Sequence, residues 1–99
     1  MSHFDDIRRW ADDRNIIRGG TPQAQMTKLI EEIGELAGGI ARGNHEKIMD
    51  GIGDAVVVLT IMARQYGVNI EQCIATAWDE IKDRKGRMID GVFVKEADL

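Results

Sequence analysis

Residues 29–63 read LIEEIGELAGGIARGNHEKIMDGIGDAVVVLTIMA, and this stretch decides the fold. In its first half, apolar side chains recur at the three- and four-residue spacing of one helical face: Leu29, Ile33, Leu36 and Ile40. The second half of the stretch is expected to form a helix that begins near His45. Residues 55–63 of this helix are all apolar except Thr60. Because only Gly43 and Asn44 separate the two helices, we expect them to pack antiparallel.

Four acids form two pairs in this stretch, Glu32 with Glu35 and Asp50 with Asp54. At about 100° per residue, the members of the first pair project within roughly 60° of each other, and those of the second within roughly 40°. Residues 48–63 contain no Lys or Arg that could neutralise the second pair. Because an unpaired carboxylate is costly to bury, acids in this setting pair with a base or bind a metal ion.

The residue types at these four positions favour Mg²⁺. Carboxylate oxygens are the ligands that Mg²⁺ prefers, and the ion commonly keeps waters and bridges to substrate phosphates. Acids at this spacing on two facing helices are also how helical bundles build carboxylate metal sites. None of the four positions is a His, which argues against a di-iron site and against zinc.

The rest of the chain is also expected to be helical. Apolar spacing predicts a first helix that ends near Asn15, and Thr21 followed by Pro22 is typical of the start of the next. Asn69 can cap a fourth helix that ends by Gly86. The expected fold is all-α, a four-helix bundle with a short C-terminal extended tail. We expect one domain over residues 1–99, divided into an N-terminal helix and loop (1–20), the metal-binding helix pair (21–66), the fourth helix (69–86) and the tail (87–99).

Composition limits the partners and the location of the protein. A net charge of -4 and a pI near 5.1 argue against broad binding to nucleic acid. One Cys, no N-terminal apolar signal region and no apolar run long enough to span a bilayer predict a cytoplasmic protein that does not enter membranes. A short chain buries a limited fraction of its surface, and the second half of its third helix is apolar on all sides. We therefore expect a homodimer or a homotetramer.

Two segments resemble the signature segments of the MazG-like, all-alpha nucleoside triphosphate pyrophosphohydrolases: EEIGEL at residues 31–36 and DGIGDAVVVL at residues 50–59. In that family a Glu-x-x-Glu and a later acid-x-x-Asp bind Mg²⁺. One position departs from the pattern, because the residue three before Asp54, usually Glu, is Gly51 here. Asp50 lies one residue earlier, and its i to i+4 spacing keeps it on the same helical face as Asp54.

The resemblance implies hydrolysis of a nucleoside triphosphate, in the ribo or deoxy form, to the monophosphate and pyrophosphate. It implies that Mg²⁺, for which Mn²⁺ can substitute, is held by the four paired acids: Glu32, Glu35, Asp50 and Asp54. Glu31 would orient or deprotonate the attacking water, so that the expected catalytic residues are Glu31, Glu32 and Glu35.

The negative substrate also needs cations and a surface for its base. The candidates are Lys28, one turn before the first acids, the basic residues Lys82, Arg84 and Lys85, and Trp10 for stacking. Each has a structural alternative. Lys28 can pair with acids on a solvated helix face, the basic residues can complement a helix C-terminus, and Trp10 can pack in the core.

Two other functions stay open on the sequence. A non-enzymatic helical module would use the apolar third helix for dimerisation, with the acids only keeping its rim soluble, and would not respond to metal. A phosphoribosyl-nucleotide pyrophosphohydrolase would share the acidic pattern and differ in base selectivity.

Overall fold

Helices dominate the structure, a computed structural model that describes residues 2–99, and this confirms the all-α class. The helices are α1 (His3–Asp13), α2 (Ile16–Gly19), α3 (Pro22–Arg42), α4 (His45–Gln65) and α5 (Ile70–Ile81). They are followed by β1 (Gly86–Ile89), β2 (Val92–Lys95) and a 3₁₀ turn (Glu96–Asp98). None of the helices in this described part combines the length and apolarity needed to cross a bilayer.

The α3–α4 pair has the ends that its sequence predicts. The Thr21 side chain accepts a hydrogen bond from the Ala24 N–H at 3.1 Å, and Pro22 occupies the first helical turn. Gly43 ends α3 with a φ of 64°, a left-handed conformation that glycine adopts without strain. Asn44 then caps α4 by accepting from the Lys47 N–H at 3.2 Å.

Glycines bring α3 and α4 into close antiparallel contact. A Cβ atom at Gly39 would lie 3.0 Å from the Lys47 Cβ, and one at Gly51 would lie 3.0 Å from the Leu36 Cβ. The contacts pair later residues of α3 with earlier residues of α4, as an antiparallel hairpin requires. The expected antiparallel packing is therefore present.

The core is small and centres on α4. Its buried apolar residues are Ala11 of α1 and Ala55, Val58, Ile61 and Ala63 of α4. Thr60 is also fully buried, and its hydroxyl donates to the Val56 carbonyl oxygen at 2.7 Å. The α1 helix packs on α4 and begins with a capping box between Ser2 and Asp5.

The fourth predicted helix is present as α5, although none of its residues is buried. Its link to α1 is an ion pair in which Arg8 Nη1 and Nη2 donate to the two carboxylate oxygens of Glu71, both at 2.7 Å. Trp78, on the apolar side of α5, is 58% exposed. The helix ends at Ile81, five residues before the predicted limit at Gly86.

Two local features differ from the sequence prediction. Residues of the predicted first loop form one helical turn, α2. The tail is extended as expected, but β2 pairs antiparallel with β1 of the same chain, with Met88 opposite Phe93. The turn between the strands has Asp90 and Gly91 at φ values of 51° and 81°, as a tight hairpin requires.

Candidate active site

Gly51 explains where the second acidic pair lies. Its backbone is buried against α3, and a Cβ there would be 3.2 Å from the Leu36 Cα as well as 3.0 Å from the Leu36 Cβ. A side chain at this position would therefore require Leu36 to shift by a few tenths of an ångström. Asp50, one residue earlier, lies on an exposed part of α4 and borders a groove together with Asp54. The contact with Leu36 thus leaves little room for a side chain at position 51.

Glu32 is the acid that the fold buries most, with 6% of its surface exposed. Its Oε1 atom lies 3.2 Å from the Lys28 Nζ, one helical turn earlier. Its Oε2 atom is buried and has no hydrogen-bond partner among the described residues. A buried carboxylate oxygen without a partner is rare in native proteins and is satisfied by a proton, a water or a cation.

Asp54 lies across the helix contact from Glu32. Burial raises the pKa of Asp54, and the nearby carboxylates of Asp50 and Glu32 raise it further. These neighbours act mainly through their negative charges. Three of the predicted metal ligands are therefore electrostatic neighbours, and a cation placed among them would stabilise their ionised forms.

Glu35 and Glu31 face a different groove. This groove, of about 570 Å³, runs along α3 to the α3–α4 connection and is also lined by Arg42 and Lys47. Asp50 and Asp54 instead border a groove of about 670 Å³ beside α1. Glu32 lies on the helix between them, at the contact with α4.

The four predicted ligands do not form a finished metal site in the described structure. Within residues 2–99, no group of three or more His, Cys, Asp or Glu side chains is close enough to share one ion. The residue types and the orphaned Oε2 of Glu32 nevertheless fit a hard cation that prefers oxygen ligands. The ligand set stays a prediction.

Lys28 lies at the acids, as predicted, but its observed partner is Glu32. The hydrogen bond and the charge of Glu32 raise the pKa of Lys28, with smaller contributions from Glu31 and Glu35. Lys28 therefore pairs within its own helix with the buried Glu32, and not on a solvated face.

Of the other substrate-binding candidates, Trp10 lines a pocket that shares Ile7 and Val57 with the groove of Asp50 and Asp54. Trp10 is 46% exposed, and the Arg14 guanidinium stacks 4.8 Å from its ring centre. Lys82 pairs with Asp79 at 3.3 Å. Arg84 and Lys85 lie in the exposed turn before β1, and in the described chain none of these four candidates lines either acidic groove.

Sequence reasoning missed Arg42 and Lys47 as cations of the acidic groove. Both flank the Gly43–Asn44 connection, so the turn brings them next to Glu31 and Glu35. The available signal was position: Arg42 lies two helical turns after Glu35 on α3.

Comparisons with known proteins point to the same segments. Residues 20–89 match the family model described as the MazG nucleotide pyrophosphohydrolase domain, and this span contains both acidic pairs. A protein of Haemophilus phage HP1 (strain HP1c1), described as an uncharacterized 18.2 kDa protein in the rep-hol intergenic region, is 45% identical over 64 residues. The matched region covers 65% of this chain and 39% of that relative, so the chain spans about two fifths of the relative's length. No solved structure matches the chain.

Proposed function

The chain belongs to the MazG nucleotide pyrophosphohydrolase family, and from that premise we propose that it is a Mg²⁺-dependent hydrolase of nucleoside triphosphates. The products would be a nucleoside monophosphate and pyrophosphate. The observation that carries this proposal is the meeting of Glu32 and Asp54 across the helix contact. One has a buried oxygen without a partner, and the other has a raised pKa.

In this proposal Glu32, Glu35, Asp50 and Asp54 hold Mg²⁺, or Mn²⁺ in its place. The bound ion would neutralise phosphate charge and lower the pKa of the attacking water. Rotation of exposed side chains would bring Glu35 and Asp50 towards Glu32 and Asp54. Glu32 and Asp54 are already fixed by the packing of α3 on α4, so they would set the position of the ion.

Glu31 is proposed to hold and deprotonate the attacking water at the groove that it shares with Glu35. The cations nearest to this groove are Arg42 and Lys47, and they would bind the phosphates that leave. Lys28 would join them once the metal ion replaces it as the partner of Glu32. Catalysis would come mainly from positioning and charge stabilisation.

Trp10, Lys82, Arg84 and Lys85 stay predictions as substrate-binding residues, with Trp10 stacking on the base. We also propose that the working form is a homodimer or a homotetramer, and that it acts in the cytoplasm on the nucleotide pool.

The decisive experiment incubates the purified chain with canonical and modified nucleoside triphosphates and Mg²⁺, and identifies the products by ion-exchange chromatography and ³¹P NMR. We expect pyrophosphate and monophosphate. Asp54→Asn and Glu32→Gln should each lower the rate by on the order of 10²–10³ because each removes a charge that stabilises the transition state. Asp13→Asn, the same change at an exposed acid at the end of α1, should leave the rate unchanged.

Four outcomes would contradict the proposal. Orthophosphate as the first product would exclude this reaction class. Pyrophosphate release that survives Asp54→Asn would exclude the proposed ligand set. A chain that neither binds Mg²⁺ by calorimetry nor hydrolyses any substrate would favour the non-enzymatic module, whereas activity on a phosphoribosyl nucleotide alone would favour that related hydrolase.

A further inference from the structure

A groove of about 460 Å³ lies where α1, α2 and the end of α4 meet, and the proposed reaction does not use it. Three arginines line it, one from each of these helices: Arg8, Arg18 and Arg64. We call it the arginine groove. Its other charged or polar side chains are Asp12 and Gln65. In a chain of net charge -4, a groove with three cations and one acid is a local reversal of charge.

The arginine groove is separate from the acids of the proposed active site. Arg64 follows Asp54 by ten residues on α4, which corresponds to about 15 Å along the helix axis. In the described chain, no residue of the arginine groove lines either of the acidic grooves. A ligand bound in the arginine groove would therefore leave the proposed metal site open.

The three guanidinium groups differ in how many of their N–H donors the protein already uses. Arg18 makes no hydrogen bond or ion pair within the described chain. Arg64 donates one hydrogen bond, from its Nη1 to the Asn69 Oδ1 at 3.2 Å. Arg8 is held by two acids of the chain, which largely neutralise its charge. Arg18 and Arg64 therefore keep most of their donors for a ligand.

The side-chain amide of Gln65 holds α2, and with it Arg18, against the end of α4. Its Nε2 donates to the carbonyl oxygens of both Ile16 and Ile17, each at 3.5 Å. Its Oε1 is buried and has no hydrogen-bond partner among the described residues. A buried acceptor without a partner is uncommon in native proteins, and it adds to the polar character of this groove. The lining thus favours a polar ligand over an apolar one.

We propose that the arginine groove binds a phosphate group, either as free phosphate or as the phosphomonoester of a small molecule. This inference goes beyond the proposed hydrolysis and does not depend on it. Guanidinium groups pair with phosphate oxygens through parallel, charge-assisted hydrogen bonds. A phosphate group has enough oxygens to accept from Arg18 and Arg64 together, whereas a carboxylate uses both of its oxygens on one guanidinium.

The size of the groove is consistent with a ligand larger than the phosphate ion. Pockets for small molecules have volumes of about 300–1,000 Å³, and this groove has about 460 Å³. A sugar attached to the phosphate would therefore fit beside the arginines.

Asp12 provides a test in the opposite direction. Its carboxylate lines the groove and makes no ion pair within the described chain. A bound phosphate would be repelled by this charge, so Asp12→Asn should tighten phosphate binding several-fold. If the arginines serve only to balance Asp12 and the solvent, the substitution creates no phosphate affinity.

Isothermal titration calorimetry of the full chain tests the proposal with two ligands, inorganic phosphate and ribose 5-phosphate. EDTA and constant ionic strength remove any contribution from the proposed metal site. We expect saturable binding with one site per chain. Arg18→Gln and Arg64→Gln should each weaken it at least about tenfold, because each removes a charged donor pair. Arg87→Gln, at an exposed position of β1 outside the groove, should leave the affinity unchanged.

The two ligands identify the source of the phosphate group. Equal affinities, or binding of phosphate alone, would support a site for free phosphate, and tighter binding of ribose 5-phosphate would support a phosphomonoester site. No saturable binding of either ligand at millimolar concentrations would overturn the inference, and so would binding that Arg18→Gln and Arg64→Gln both leave intact. Loss of binding in Arg42→Gln, with both of these variants silent, would assign the phosphate to an acidic groove and also overturn it.

Circular dichroism distinguishes loss of binding from loss of folding. If Arg64→Gln changes the helical content, because it also removes the hydrogen bond to Asn69, Arg18→Gln decides the question, since Arg18 has no partner in the described chain.

The two proposals can fail separately. Asp54→Asn should bind phosphate as the wild type does, because the arginine groove lies apart from the acids. Metal-dependent release of pyrophosphate by a chain that does not bind phosphate in EDTA would refute the arginine groove and leave the hydrolase standing. Phosphate binding that Arg18→Gln abolishes, in a chain without metal-dependent activity, would refute the hydrolase and leave the arginine groove standing.

Discussion

Gly51 shows how a single residue links the fold to the site. It lets α4 approach α3, and an added methyl group would meet the Leu36 Cα at 3.2 Å, a backbone atom that cannot rotate away. We predict that Gly51→Ala destabilises the chain by about 1–2 kcal/mol, since overpacking costs about 1–3 kcal/mol and the gain in helix propensity offsets up to about 1 kcal/mol of it. Urea denaturation measures the change.

Gly53 provides the matched control because it lies in the same helix with no atom of another segment within 4 Å of an added Cβ. Gly53→Ala should stabilise the chain by about 0.5–1 kcal/mol through helix propensity alone. Equal effects of the two substitutions would show that the Leu36 contact does not limit position 51.

Asp54 should make stability depend on pH in the absence of metal. Its folded-state pKa is raised above the ordinary value of 3.8, so the folded state favours the protonated form. Stability is therefore lost as pH rises from about 3.8 through the folded-state pKa. We predict that Asp54→Asn raises the free energy of unfolding at pH 7 in EDTA, and that the gain shrinks towards zero below pH 3.8.

Urea titrations of both proteins across this pH range make the comparison. A loss of stability in Asp54→Asn at neutral pH would mean that a cationic group of the protein already neutralises this carboxylate.

At the residue scale, the sequence predicted that Glu32 and Asp54 lie near each other. It did not predict where the other two acids, Glu35 and Asp50, would lie. Glu32 and Asp54 follow from helical spacing and the short connection, because an antiparallel pair must bring them to the same level. Side-chain direction at exposed positions does not follow from spacing, and Glu35 borders a different groove from Asp50. Helical spacing also does not determine the rotamer of Lys28, so it did not predict that Lys28 pairs with Glu32.

At the level of elements, α5 is held to α1 by a charged contact instead of apolar burial. Arg8 binds both carboxylate oxygens of Glu71 and also Asp5, and this lowers the pKa of Glu71 below its ordinary value. The stabilisation is therefore present at neutral pH and is lost as pH falls through the lowered pKa. We predict that Glu71→Gln raises amide hydrogen exchange in α5 several-fold at pH 7.

Glu80→Gln is the control for this prediction, since it makes the same change at an exposed position of the same helix. Exchange in α3 should be unaffected by either variant. Unchanged protection of α5 in Glu71→Gln would show that contacts with α4 alone position the helix.

Element boundaries were predictable where a cap has a distinct chemistry. Thr21 with Pro22, and Gly43 with Asn44, occur where the helices begin and end. The one-turn helix α2 was missed because four residues are too few to show a helical period. The turn of the hairpin and its extended second strand were predictable, because Asp90-Gly91 marks the turn. The first strand, Gly86–Ile89, was missed because it has no clear alternation of apolar and polar residues.

For the whole molecule, the helix pair has an acidic side, formed by Glu32, Asp50 and Asp54, that its own cations only partly neutralise. Lys28 pairs with Glu32, but the charges of Asp50 and Glu32 still raise the pKa of Asp54. Apolar side chains lie beside these acids, because Met49 and Val56 line the same groove as Asp50 and Asp54.

The acidic side should therefore couple metal binding to the stability of the whole chain. An ion that binds only the folded state stabilises it in proportion to the logarithm of its concentration, by about 2.7 kcal/mol at a hundredfold excess over the dissociation constant. We predict that Mg²⁺ raises the midpoint of thermal unfolding progressively, measured by calorimetry at constant ionic strength and protein concentration. Asp13→Asn should keep this response, and Asp54→Asn should lose it. A midpoint that Mg²⁺ and Mn²⁺ both leave unchanged would contradict a metal site at these acids.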